Sequence, residues 1–167
     1  GDSKDIDERY YAAAALLDVT GEQKYADAIV KYTEKKIDLE FGWQYVGSYG
    51  SAIILTSDNC KKMLPADTYK SIKENFIAEA DTFKEIADND GYMISFLEDD
   101  YIWGSNMHIA NNAMHLIYAS DITGNNSYKE AAKNHLNYIF GVNPMGISYV
   151  TGTGTVSPKY PHHRPSQ

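Results

Sequence analysis

With 167 residues, 43% of them hydrophobic, the chain is long enough to bury a core, and its single cysteine, Cys60, rules out an intrachain disulfide. A formal net charge of −8, with the lysines and arginines scattered, repels a phosphate backbone and excludes nucleic acid as a partner. No run of about 18 apolar residues is present to span a membrane, and the opening Gly1-Asp2-Ser3-Lys4 has no signal-peptide pattern.

The predicted elements are helical throughout. The first helix covers about 5–19, with Tyr10, Ala13, Ala14 and Leu17 at the spacing of one buried face. A second follows over about 24–37. The loop Phe41-Gly42-Trp43-Gln44-Tyr45-Val46-Gly47 leads to a shorter third helix over about 48–56. The fourth, about 66–87, is the clearest amphipath, carrying Ile72, Phe76, Ala80, Phe83 and Ala87 on one stripe. An irregular acidic segment, 88–105, separates it from a fifth helix over about 106–120 and a sixth over about 127–140. Residues 141–167 hold four of the five prolines and read as an ordered functional loop. No strand-period stretch exceeds a few residues, so the fold class is all-α.

An internal repeat joins these helices in pairs. Asp18-Val19-Thr20-Gly21 with Tyr25 recurs as Asp121-Ile122-Thr123-Gly124 with Tyr128, and Ala28 and Ala131 each stand three residues past the tyrosine. Each copy reads as a helical hairpin in which glycine supplies a left-handed cap and alanine lets the helices approach. Such hairpins build solenoids or toroids, because one pair cannot bury its own apolar face.

Chemistry-bearing residues concentrate near the C-terminus. Ser148-Tyr149-Val150-Thr151-Gly152-Thr153-Gly154, then Pro161-His162-His163-Arg164, follow Phe140-Gly141-Val142-Asn143-Pro144, with Trp103-Gly104-Ser105 upstream. These elements, in this order and with the Thr-Gly hairpins, resemble family 9 glycoside hydrolases over most of the chain. The resemblance implies about half of an (α/α)6 toroid, six helices of twelve, ending in a long ordered loop that closes a cleft. It implies inverting hydrolysis of β-1,4-glucosidic bonds in cellulose or related glucans. Inversion needs a general acid and a general base roughly 6.5–9.5 Å apart, leaving room for water. The family's Asp-Ala-Gly-Asp motif, which supplies the base, does not occur here, and the acid of the family lies beyond the Pro-His-His-Arg loop. Both carboxylates are therefore expected outside this segment, which alone should be inactive.

By the same resemblance, His162 takes the catalytic position. His163, Arg164, Trp103 and Tyr149 bind substrate, with Trp103 stacking on a glucose ring. The expected partners are a β-1,4-glucan and the remaining half of the catalytic domain, in an extracellular, secreted protein. No cofactor is required, and calcium is allowed by family habit without an identifiable ligand set. Asn106, Met107 and His108 follow Trp-Gly-Ser where many relatives have an arginine, and Val156 replaces a common Asn or Lys; both point toward a different, more exo-acting sugar contact. The alternatives are a non-catalytic helical-repeat module binding carbohydrate or protein, and an exo-acting glycosidase on the same fold. His108 and His115 share a helix face without a third metal ligand, and Glu98-Asp99-Asp100 reads as a solvated acidic run.

Overall fold

The structure, a computed structural model, describes residues 4–35, 37 and 39–161. Among them are seven α-helices and no strand: α1 (Ile6–Thr20), α2 (Gln23–Thr33), α3 (Gly47–Thr56), α4 (Asp58–Met63), α5 (Ala66–Asn89), α6 (Asn106–Thr123) and α7 (Asn126–Phe140), with a 3₁₀ turn at Glu98–Asp100. Six of these are the expected helices. The seventh, α4, is a six-residue helix too short to show a period in sequence. It is nucleated by Ser57, whose side chain accepts from the Cys60 amide at 3.1 Å. The second helix stops at Thr33 rather than near 37. Its last turn tightens, with the Lys35 amide on the Tyr32 carbonyl, and Ile37 and Leu39 then fold back onto the core.

The repeat does more than cap. Gly21 and Gly124 both take positive φ (64° and 74°), as the hairpin reading requires. The threonine before each glycine makes the same two bonds. Thr20 Oγ1 donates to the Leu16 carbonyl at 2.7 Å and accepts from the Glu22 amide. Thr123 Oγ1 donates to the Ala119 carbonyl at 2.7 Å and accepts from the Asn125 amide. The hydroxyl thus satisfies a late helix carbonyl and the first amide past the turn, which accounts for Thr in both copies. Ala131 is buried between helices as expected, but its counterpart Ala28 is only partly buried. In the first hairpin Ala26 and Ile29 take the inward positions.

The main core forms where α1, α3, α5 and α6 meet. Tyr10, Ala13, Ala14 and Leu17 are all buried, as are Ile72, Phe76, Ala80 and Ala87 of the α5 stripe, with Phe83 half-buried. Each fully buried Leu or Ile here contributes about 1.5–3 kcal/mol. α1 and α3 approach closely because Gly50 has no side chain: a Cβ there would lie 2.8 Å from the Tyr10 ring. Tyr10 Oη and Ser51 Oγ, 3.1 Å apart, complete that contact.

Helix directions sort the connections into two ends. α1 and α3 start together, with the Val46 amide on Asp7 Oδ2 at 2.8 Å. At the far end, Asn59 Nδ2 donates to the Asp18 carbonyl, and Tyr69 Oη meets the Leu55 carbonyl where α5 begins. α5 therefore runs antiparallel to α3, and α6 starts at the end where α5 finishes. Short turns occupy one end of the bundle. The long connections 34–46, 90–105 and the segment from 141 all leave the other.

Candidate functional site

Those three long segments carry most of the aromatic residues that are not needed in the core. Trp103 is 92% exposed, so it takes no part in the core of this segment and its ring is available as a platform. Tyr101, two residues earlier, is exposed too, with its ring edge-on to Phe96 at 5.3 Å. Trp43, 77% exposed on the 34–46 segment, has the same character. The sequence marks that segment as aromatic-rich without giving Trp43 a role; only exposure distinguishes it from Phe41, which is buried four residues from Tyr45.

Tyr149 sits differently. It is partly buried against a second, smaller core of Ile94, Phe96, Ile109, Tyr138 and Ile139. Its ring meets Tyr138 edge-on at 5.9 Å, and its amide donates to the Ile139 carbonyl at 2.8 Å. Tyr149 thus joins the C-terminal loop to α7, and only part of its ring faces outward. His162, His163 and Arg164 lie outside the described residues.

The start of the loop is held by Asn143. Its Nδ2 donates to the Tyr138 and Ile147 carbonyls at 2.7 and 2.9 Å, while its Oδ1 accepts from the Met145 amide. Three bonds from one buried amide fold the chain back over α7, explaining why Asn precedes Pro144. Ser148 continues the arrangement, donating its amide to the Val156 carbonyl at 3.1 Å.

Below the 90–105 segment lies a cavity of about 270 Å³ bounded by Glu40, Phe41, Glu79, Asp99, His108 and His115. His108 and His115 do share a face, as their spacing implies. His115 is 2% exposed and stacks on Phe76 at 3.8 Å. Its Nε2 lies 2.8 Å from the Phe76 carbonyl, which can only accept, so Nε2 carries the proton and Nδ1 is bare. Burial pushes the His115 pKa down to about 4. Glu79 Oε2 stands 3.9 Å from that Nδ1. Burial, and then the charge of Glu40, push the Glu79 carboxyl up to about 7. The two groups resist charging in opposite senses, so this is a neutral contact rather than an ion pair near pH 6. Glu98-Asp99-Asp100 is an exposed turn in which Asp100 Oδ2 accepts from the Leu97 amide. Among the described residues no three His, Cys, Asp or Glu side chains gather as a metal site, so no residue is assigned to calcium.

A profile of glycosyl hydrolase family 9 matches residues 1–167. The chain belongs to this family. It is 33% identical over 180 residues to a cellodextrinase of Butyrivibrio fibrisolvens, covering 99% of this chain and 32% of the relative. It is 34% identical over 165 residues to endoglucanase D of Acetivibrio thermocellus, covering 97% and 26%. Among solved structures it superposes on a thermostable endoglucanase from Alicyclobacillus acidocaldarius with a TM-score of 0.90 at 32% identity, covering 99% of this chain and 31% of that one. The same values relate it to AaCel9A, solved with a cellobiose-like isofagomine. The family 9 segment therefore keeps its relatives' helical framework while spanning about a third or less of their length. Among the described residues no helix is long and apolar enough to cross a membrane.

Proposed function

We propose that the intact protein hydrolyses β-1,4-glucosidic bonds by inversion, and that this family 9 segment supplies part of the cleft wall and an aromatic rim. The observation that carries the reading is the bare ring of Trp103, held outward at the loop end of a framework like that of family 9 endoglucanases. A flat apolar ring suits the hydrogen-lined face of a glucose unit, and binding energy collected there positions the bond to be cut. By resemblance to the family motif, His162 stands beside the scissile bond, with Arg164 and His163 on sugar hydroxyls and Tyr149 at the loop base. A rigid guanidinium can bond two hydroxyls, or a hydroxyl and a carboxylate, without losing its charge. The general acid and the general base come from outside these residues, as does the water-filled gap between them. The reaction as proposed uses carboxylates and water and no cofactor.

Substrate class follows the relatives, which include a cellodextrinase, endoglucanases and a xyloglucan-specific endo-β-1,4-glucanase of Bacteroides ovatus at 32% identity. A polymeric glucan does not enter cells, so the proposal places the protein outside them, with the remaining part of the catalytic domain as its obligate companion. The test is NMR of cellotetraose with the intact protein. Initial release of α-anomeric product supports inverting hydrolysis. Initial β-anomeric product would refute inversion. Binding without turnover would instead establish a carbohydrate-binding module.

A further inference from the structure

The 90–105 segment that presents Trp103 is tied down by a buried hydrogen-bonded chain. His135 of α7 is fully buried, and its Nδ1 lies 2.8 Å from the Ala131 carbonyl. A carbonyl only accepts, so Nδ1 carries the ring proton and Nε2 is an acceptor. That acceptor faces Ser95, with the backbone amide at 3.0 Å and Oγ at 2.7 Å. The Ser95 hydroxyl donates to His135, and its oxygen accepts from Asn112 Nδ2 of α6 at 2.9 Å. One serine in the middle of the segment is thus gripped from α6 and α7 together. Its neighbours Ile94 and Phe96 are buried in the second core.

The grip has a reason to exist. Just before it, Met93 turns with φ of 59°, a conformation disfavoured for a residue with a Cβ. Asp90 Oδ1 accepts from the Tyr92 amide at 2.9 Å and from the Ile94 amide at 3.3 Å, closing the turn on one side. Such a conformation persists only where surrounding bonds over-determine it. The His135 acceptor supplies the other side.

We propose that His135 is a positioning residue for substrate, fixing Ser95 and through it the segment that holds Trp103 at the cleft rim. The proposal deepens the function proposed above and rests on Trp103 meeting sugar. Burial lowers the His135 pKa, opposed by its bond to Ala131 and by the charge of Asp90, so the ring remains an acceptor at neutral pH. Addition of a second proton would turn Nε2 from acceptor to donor and set it against both Ser95 donors.

Two substitutions separate the bonds in the intact protein. In His135→Asn the shorter side chain can still donate to Ala131 but does not reach Ser95; in His135→Gln a side-chain oxygen reaches Ser95. The expected result for His135→Asn is a rise in KM for cellotetraose of about fivefold or more, with kcat changed less, and exchange of the Ser95 amide at least tenfold faster. His135→Gln should recover most of both. In a Trp103→Ala background, His135→Asn should raise KM no further, because its effect passes through that ring. Unchanged KM and Ser95 exchange in His135→Asn, or KM effects that simply multiply with those of Trp103→Ala, would overturn the proposal. Ser95→Ala, which removes the hydroxyl and leaves the amide, gives the same reading if His135→Asn does not fold. A wild-type KM in Trp103→Ala alone would instead refute the sugar contact, and Ser95 exchange would then report on the anchor by itself.

Discussion

Glu79 and His115 show how one cavity sets opposite pH responses. Glu79 binds its proton more tightly folded than unfolded, with its pKa raised from 4.5 to about 7, so its contribution to stability falls as pH rises through that interval. His115 binds its proton less tightly folded, with its pKa lowered from 6.5 to about 4, so its contribution falls as pH drops from 6.5 to 4. Between about 4.5 and 6.5 the two slopes oppose each other. In Glu79→Gln the opposing carboxyl slope is gone and the His115 slope remains, in the same sense as that of buried His135, so protection of α5 and α6 amides should increase by about 2 kcal/mol or more from pH 4.5 to 6.5. Wild-type protection should change by less, since Glu79 is 34% exposed and its own contribution is partly screened. A flat pH response in Glu79→Gln would show that His115 is not held neutral. Asn143 offers a second test at this scale. Asn143→Asp keeps the shape but loses both donors, so the Tyr138 and Ile147 carbonyls face a carboxylate. The expected cost is about 1–3 kcal/mol, read as faster exchange of amides 145–149.

At the scale of elements, the packing of α1 on α3 depends on Gly50. In Gly50→Ala the new methyl would lie 2.8 Å from Tyr10 Cδ1 and 3.1 Å from the Tyr11 Cα. The tyrosine ring is fixed by Ser51 and the backbone cannot yield cheaply, so overpacking should cost about 1–3 kcal/mol, measured as a lowered melting temperature of the intact protein. An unchanged or raised melting temperature would show that the two helices can separate freely. Element boundaries were legible where chemistry is local. The two Thr-Gly turns announced themselves, and the stripes on α1 and α5 named residues that are buried, except Phe83, which is half-buried. α4 was not legible because six residues carry less than two helical turns. The shortened α2 was not, because its end depends on Ile37 and Leu39 finding the core.

For the whole molecule, the relevant fact is coverage: nearly all of this chain aligns with about a third or less of its relatives. Apolar side chains left outward on separate helices fit that picture, among them Leu16 and Val19 of α1, Ile117 of α6 and Leu136 of α7. Exposed apolar faces of packed helices mark interfaces. The isolated 167-residue chain should therefore self-associate and bind a hydrophobic dye, and co-expression with the remaining domain should suppress both. A monomeric chain with a single cooperative melt would refute that dependence.

The residues alone were enough for the helical class, the hairpin turns and the family, because caps, periodicity and motif order act over a few residues; they named Trp103 as a candidate, and its exposure came from the structure. They marked Tyr149 as a ligand contact without showing that it packs partly buried on the second core, edge-on to Tyr138. Tertiary structure alone decided that Ser95 meets His135, 40 residues away, and that Glu79 and His115 share a cavity. The reason is physical: a tautomer and a shifted pKa are set by burial and by partners distant in sequence, and neither exists until the helices close around them.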